Sequence, residues 1–217
     1  VSGKFTQKQK DIYNIVLAAH DRVAAMIAPH MPYMDIHNAS YRILAEGLIS
    51  LGLMRGTAED AVAAGAMTLF MPHGLGHGMG LDVHDCEAIG ERSFDFSEIA
   101  EQAAKSGTCI QRSTWRIEPG TVMTDEPGIY ETDEVGIRIE NELECIDLGE
   151  NQYGHWLGFA PLTLVPISTE PVLVDELSRD QINWLNDYHA HVYEMLSPRL
   201  NEDEKVWLKE KCAAIGR

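Results

Sequence analysis

Apolar positions follow two rhythms along this chain, one helical and one alternating, with a glycine-rich stretch between them. Ile12, Ile15, Val16, Ala19, Val23, Met26 and Ile27 recur at the spacing of one helix face. Thr6, with Gln9 three positions on, has the form of a capping box, and Pro29 is a stop, so a long amphipathic helix is predicted between them. A second helix is predicted to start near Asp35 or Asn38, to carry Ile43, Leu44, Leu48, Ile49 and Leu51, and to end at Gly52. A short third one follows Thr57. Near the C-terminus the helical pattern returns twice, over Ser178 to Leu196 with a Ser178/Gln181 box and over Asn201 to Ala214 with an Asn201/Glu204 box.

The middle of the chain reads differently. From Met71 to Asp85 the sequence is MPHGLGHGMGLDVHD, where four glycines, at 74, 76, 78 and 80, disfavour a helix and leave loop or strand. Residues 86–113 are polar and irregular and predict a loop. Glu118-Pro119-Gly120 marks a turn into a strand over Thr121 to Thr124, closed by Gly128. From Gly136 to Cys145 the alternation is strict. Ile137, Ile139, Asn141, Leu143 and Cys145 lie on one face, and Arg138, Glu140, Glu142 and Glu144 on the other, so one strand with a charged face is predicted. A further strand is predicted over Leu162 to Ile167.

Composition narrows the class. A chain of 217 residues makes one large domain or two small ones; at that size roughly 70% of the unfolded surface is buried. Apolar residues make up 45% and charged residues 24%, which is ordinary globular usage and excludes collagen-like and disordered classes. The longest largely apolar run, Ala61 to Pro72, is far shorter than the ~20 residues that span a bilayer. Lys4, Lys8, Lys10, Asp11 and Asp21 interrupt any secretory apolar segment. The formal charge of −17, with no basic patch, repels phosphate backbones and anionic lipid, so neither nucleic acid nor a membrane is expected as a partner. Cys86, Cys109, Cys145 and Cys212 form no CxxC pair and read as reduced thiols, which fits a cytoplasmic protein.

The candidate chemistry lies in the histidines and carboxylates of this middle region. His73, His77 and His84 fall together among glycines that let the backbone come close to a ligand. His73 and His77 are spaced HxxxH, but the glutamate of a helical zinc protease is missing beside the first histidine. Glu126 is held extended by Pro127, and Glu140 projects from its strand next to Arg138. Glu140, Glu142 and Glu144 on alternate residues form either a solvated face or a set of like charges that a cation would relieve. One histidine with several carboxylates is a hard, oxygen-rich donor set suited to Mn²⁺, Co²⁺ or a Zn²⁺ pair. Two such ions activate a shared water for hydrolysis.

His73-Gly-Leu-Gly-His77 with Gly80-Leu-Asp-Val-His84-Asp85, then Thr124-Asp-Glu126-Pro-Gly128, then Gly136-Ile-Arg138-Ile-Glu140-Asn141, closely resemble the motifs of the pita-bread metallopeptidases, specifically the Xaa-Pro aminopeptidases. Phe159 to Ile167 (FAPLTLVPI) and Trp184-Leu-Asn-Asp-Tyr-His189 look like the C-terminal segment of the longer aminopeptidase P type. The resemblance implies an α+β pita-bread fold, a curved antiparallel sheet flanked by helices, over residues 1–167, and a helical extension over 168–217. It also implies two divalent metal ions, usually manganese, held by two aspartates, one histidine and two glutamates. By motif position the metal ligands are His77, Glu126 and Glu140, and Glu126 also shuttles a proton. His73 and His84 correspond to substrate-side histidines and Arg138 to the arginine beside the last ligand. The implied reaction is hydrolysis of the bond before proline in proline-containing peptides, by a protein that is often a homodimer.

One departure accompanies the resemblance. The family's two aspartate ligands stand just before the segment resembling Val1-Ser-Gly-Lys-Phe5, and Asp11, Asp21 and Asp35 match nothing in that motif. The expectation is an N-terminally truncated catalytic domain whose partner is the missing N-terminal part of the same polypeptide, with an incomplete metal site, at most one weakly held ion and little or no hydrolysis alone. Two rivals share the fold. A prolidase lacks the C-terminal tail, and a pita-bread protein-binding module has no need of His77, Glu126 and Glu140.

Overall fold

The computed structural model describes residues 5–29, 31–85 and 117–216, so the loop expected over 86–113 lies outside the described residues. The first helix, α1, spans Gln7–Ala24. Its capping box is formed: the Thr6 N–H donates to Gln9 Oε1 at 2.8 Å and the Gln9 N–H to Thr6 Oγ1 at 3.2 Å. Ile12, Val16, Ala19 and Val23 are buried as one stripe. The helix stops short of Ile27, because the Met26 N–H turns back onto the Val23 carbonyl at 3.0 Å.

The second helix, α2, spans Tyr33–Ser50 and starts just before the expected Asp35, since Pro32 stands extended at its N-cap. The third, α3, covers Ala58–Ala63, capped by the Thr57 hydroxyl, which accepts the Asp60 N–H at 3.1 Å. Among the described residues five strands follow: β1 Val122–Asp125, β2 Gly128–Glu131, β3 Val135–Arg138, β4 Asn141–Asn151 and β5 Gly154–Pro161. They form a three-stranded antiparallel sheet in the order β1-β4-β5 and a separate β2-β3 pair. Gly128 therefore opens a strand rather than closing one. Gly120 turns the chain into β1 at φ 84°, in the left-handed region that favours glycine.

The single strand expected over Gly136 to Cys145 is two strands in two sheets. The burial alternation of its second half is present, with Asn141, Leu143 and Cys145 buried and Glu142 exposed. The ladder, however, breaks at Ile139-Glu140. Asp125 pairs with Asn141 on one side of the break and Gly128 with Arg138 on the other. Glu126-Pro127 and Ile139-Glu140 thus face each other across it. Pro127 has no N–H to continue the ladder, and its carbonyl takes the Ile139 N–H at 3.3 Å.

The chain divides into two compact units, Ile15–Leu162 and a second made of Val1–Asn14 with Thr163–Arg217. In the second unit, α4 (Arg179–Leu196) and α5 (Glu202–Lys211) both carry complete capping boxes, at Ser178/Gln181 and Asn201/Glu204. The segment expected as a strand, Leu162 to Ile167, is not one, since side chains on α4 satisfy its backbone. Tyr188 Oη accepts the Val165 N–H at 3.3 Å and donates toward the carbonyls of Thr163 (3.0 Å) and Val165 (2.9 Å). His189 Nε2 accepts the Ile167 N–H at 3.0 Å. Tyr188, Val192 and Leu208 form the buried centre of this unit, with Leu164, Ile167 and Leu196 against them.

Candidate metal centre

The break between the two sheets lies beside the histidine-glycine segment. Residues 75–79 run antiparallel to β1 in steady register: the Glu126 N–H bonds the Leu75 carbonyl at 2.7 Å, Thr124 N–H that of His77 at 3.0 Å, and Met79 N–H that of Val122 at 3.0 Å. The approach is close enough that a Cβ on Gly76 would stand 1.9 Å from the Thr124 carbonyl oxygen, so only glycine fits there. Tyr33 on α2 fixes Gly76 from the other side, its hydroxyl accepting the Gly76 N–H at 2.6 Å and donating to the Gly76 carbonyl at 2.7 Å. His37, one helical turn further on, accepts the Leu75 N–H at Nδ1, at 3.1 Å. A ring nitrogen that accepts must be deprotonated, and burial, aided by nearby His73, pushes the His37 pKa down to about 4.

This scaffold brings His77, Glu126 and Glu140 together, with one donor atom from each lying within 4.8 Å of the others. His77 Nδ1–H points to the Gly78 carbonyl at 3.1 Å, which leaves the Nε2 lone pair toward Glu126 Oε1 at 3.4 Å. A backbone carbonyl on one ring nitrogen is the usual way to fix a metal-ligating histidine. Glu126 is buried and accepts the Thr124 hydroxyl at 3.0 Å. Glu140 is exposed, and Arg138 lies between the carboxylates, its Nε 3.1 Å from Glu140 Oε2 and its Nη1 3.7 Å from Glu126 Oε2. Although burial works against it, the Arg138 pKa is raised by Glu140, Tyr130 and Glu126. Two carboxylates and a neutral imidazole at these separations fit a hard divalent cation. Glu142 and Glu144, on the same expected charged face, do not join the cluster.

His73 and His84 flank it in different ways. His73 donates from Nδ1 to the Gly74 carbonyl at 2.7 Å and accepts the Tyr130 hydroxyl at Nε2 at 2.8 Å, with the two rings edge to face. Tyr130 in turn bonds Arg138, and its pKa is raised by burial. The exposed His84 ring lies against that of His77, centroids 4.1 Å apart. Leu81 and Val83, its apolar neighbours, are exposed. Behind the cluster is a buried polar group: His20 Nε2 is 3.7 Å from Asp125 Oδ2 and 3.0 Å from the Asn141 amide. Burial pushes the Asp125 carboxyl up to about 7 against the pull of His20, while Asp21 and Glu126 add to the rise. Burial opposes the charge on His20, but Asp125 and Asp21 raise its pKa. Thr124, Tyr130 and His20 escape sequence reasoning, because a hydroxyl or ring that acts through contacts made in the fold leaves no local pattern.

The chain belongs to metallopeptidase family M24, whose family model matches residues 1–147, and the model for the C-terminal region of that family matches residues 155–215. Its helices and antiparallel strands are part of the pita-bread fold. The probable Xaa-Pro aminopeptidase PEPP of Paracoccidioides lutzii is 42% identical over 85 residues, which is 39% of this chain and 18% of that protein. The protein of the same description from Uncinocarpus reesii is 34% identical over 121 residues, 55% of this chain and 25% of that one. Among solved structures, the X-prolyl aminopeptidase of Caenorhabditis elegans, described as a cytosolic enzyme with a di-nuclear active site, has a TM-score of 0.67 and 29% identity over 98% of this chain and 30% of its own. Zinc-substituted Escherichia coli aminopeptidase P has a TM-score of 0.51 and 30% identity, covering 72% of this chain and 32% of that one. The chain thus spans a third or less of the length of these relatives.

Proposed function

We propose that this chain carries the metal-binding and substrate-holding part of a Xaa-Pro aminopeptidase, which removes an N-terminal residue by hydrolysing its bond to a following proline. The observation that carries this reading is the meeting of His77, Glu126 and Glu140 within 4.8 Å, in a chain whose matched relatives are named for that activity. The two aspartates that the resemblance adds have no match in this sequence, so the dinuclear reaction is assigned to a polypeptide that supplies them.

His77, Glu126 and Glu140 would hold divalent ions, Mn²⁺ by preference, which when bound would supply Lewis acidity and make a water more acidic. Glu126 accepts the proton from the attacking water and passes it to the leaving proline nitrogen, and its buried position beside the Thr124 hydroxyl keeps one carboxylate oxygen fixed for the task. His84 meets the scissile carbonyl, and His73, fixed by Tyr130 and Gly74, bounds the proline side. Arg138 balances the carboxylate charge and orients Glu140. Proline is selected because its tertiary amide brings no N–H needing a partner. The match of residues 155–215 to the family's C-terminal region favours the aminopeptidase over a prolidase.

We assign the protein to the cytoplasm, in keeping with the thiols Cys145 and Cys212, which are free, and with its cytosolic relative in the worm. No helix among the described residues is long and apolar enough to cross a membrane. A homodimer is the assembly proposed. The test is release of the first residue from Xaa-Pro-Yaa and Xaa-Ala-Yaa peptides by the whole protein with Mn²⁺, together with a Glu126→Gln variant. Mn²⁺-dependent cleavage of the proline peptide alone, lost in the variant, is expected. Equal rates on the two peptides, or full turnover in the variant, would overturn it.

A further inference from the structure

Thr124 stands on β1 directly opposite His77, and in a regular antiparallel pair two such residues exchange both backbone hydrogen bonds. Only one is made here. The Thr124 N–H reaches the His77 carbonyl at 3.0 Å, but the His77 N–H goes to the Thr124 side chain, Oγ1, also at 3.0 Å. The same hydroxyl donates its proton to Glu126 Oε1 at 3.0 Å, and that oxygen is the one 3.4 Å from His77 Nε2. A hydroxyl has one proton to give and lone pairs to accept with, so both roles are filled with a definite direction. Thr124 is 2% exposed, so no bulk water replaces either bond.

We infer that Thr124 is a positioning residue of the metal centre: through one hydroxyl it sets the backbone of one ligand, His77, and the carboxylate rotation of another, Glu126. The inference rests on the metal reading above. It requires the hydroxyl, not merely a β-branched side chain of this size, since the packing role would be met by valine.

The test compares Thr124→Val, which keeps shape and loses the hydroxyl, with Thr124→Ser, which keeps the hydroxyl, and with Thr124→Ala as a second hydroxyl-free variant. Co²⁺ is titrated into each form of the whole protein, which supplies the two aspartates, and followed by its visible absorption. Exchange of the His77 amide is measured without metal. The hydroxyl-free variants are expected to bind Co²⁺ about 10- to 100-fold more weakly, the range for lost outer partners of metal ligands, and to exchange the His77 amide faster. The serine form should match wild type in both. Unchanged Co²⁺ affinity in the valine form, or equal weakening in the serine form, would overturn the role of Thr124. Absence of Co²⁺ uptake by the wild-type whole protein would instead overturn the metal reading, and this assignment with it.

Discussion

Mild acid should loosen the histidine-glycine segment through one residue, His37. Its Nδ1 accepts the Leu75 N–H, and burial holds its folded pKa at about 4, below the ordinary histidine value of 6.5. The unfolded chain therefore binds the proton more readily. The stability contributed by neutral His37 is complete above pH 6.5, falls as pH drops through the interval, and is fully lost below about 4. Between pH 7.5 and 5 the loss is about 2 kcal/mol, since each unit of proton-affinity difference is worth about 1.4 kcal/mol. Urea unfolding across that range measures it, with His37→Asn as the reference because its carbonyl oxygen takes the place of Nδ1 and does not titrate. Wild type is expected to lose about 2 kcal/mol more than the variant over the same pH interval. Parallel pH dependences in the two proteins would refute the reasoning, whatever the other titrating groups contribute to both.

Gly76→Ala forces a Cβ toward the Thr124 carbonyl, at 1.9 Å before relaxation, and is expected to cost about 1–3 kcal/mol in urea unfolding and to speed amide exchange at Thr124 and Glu126. Tyr188→Phe leaves the Val165 N–H and two carbonyls without their hydroxyl, a loss of about 1–3 kcal/mol, with faster exchange at Val165 as the specific sign. Leu208→Ala opens the centre of the tail unit, where Leu208 is 1% exposed, and is expected to cost about 2–5 kcal/mol by thermal or urea unfolding.

What the sequence disclosed follows from how far each signal reaches. The capping boxes at Thr6, Ser178 and Asn201 are three-residue devices, and all three formed where the residues stand. The strict alternation of Gly136 to Cys145 was a true record of burial but not of connectivity, because period two continues across the break opposite Pro127. The strand expected over Leu162 to Ile167 failed for another reason. Its apolar run is real, but Tyr188 and His189, more than twenty positions away, replace a neighbouring strand as hydrogen-bond partners. Motif spacing brought out His77, Glu126 and Glu140, while Thr124 and Tyr130 matter only through bonds that exist once the two sheets and the glycine segment meet.

The tail unit joins opposite ends of the chain, and this constrains when it can form during synthesis. The Asn14 side chain bonds the Pro171 carbonyl at 3.3 Å and the Leu173 N–H at 3.4 Å, across sequence separations of 157 and 159 residues. Closing such a span costs about 4.5 kcal/mol in the length-dependent part of chain entropy alone. A ribosome adding roughly 5–20 residues per second delivers the partner segment some 8–30 seconds after Asn14. During that interval the start of α1 waits without the segment it is built to hold, and a nascent-chain chaperone would find it exposed.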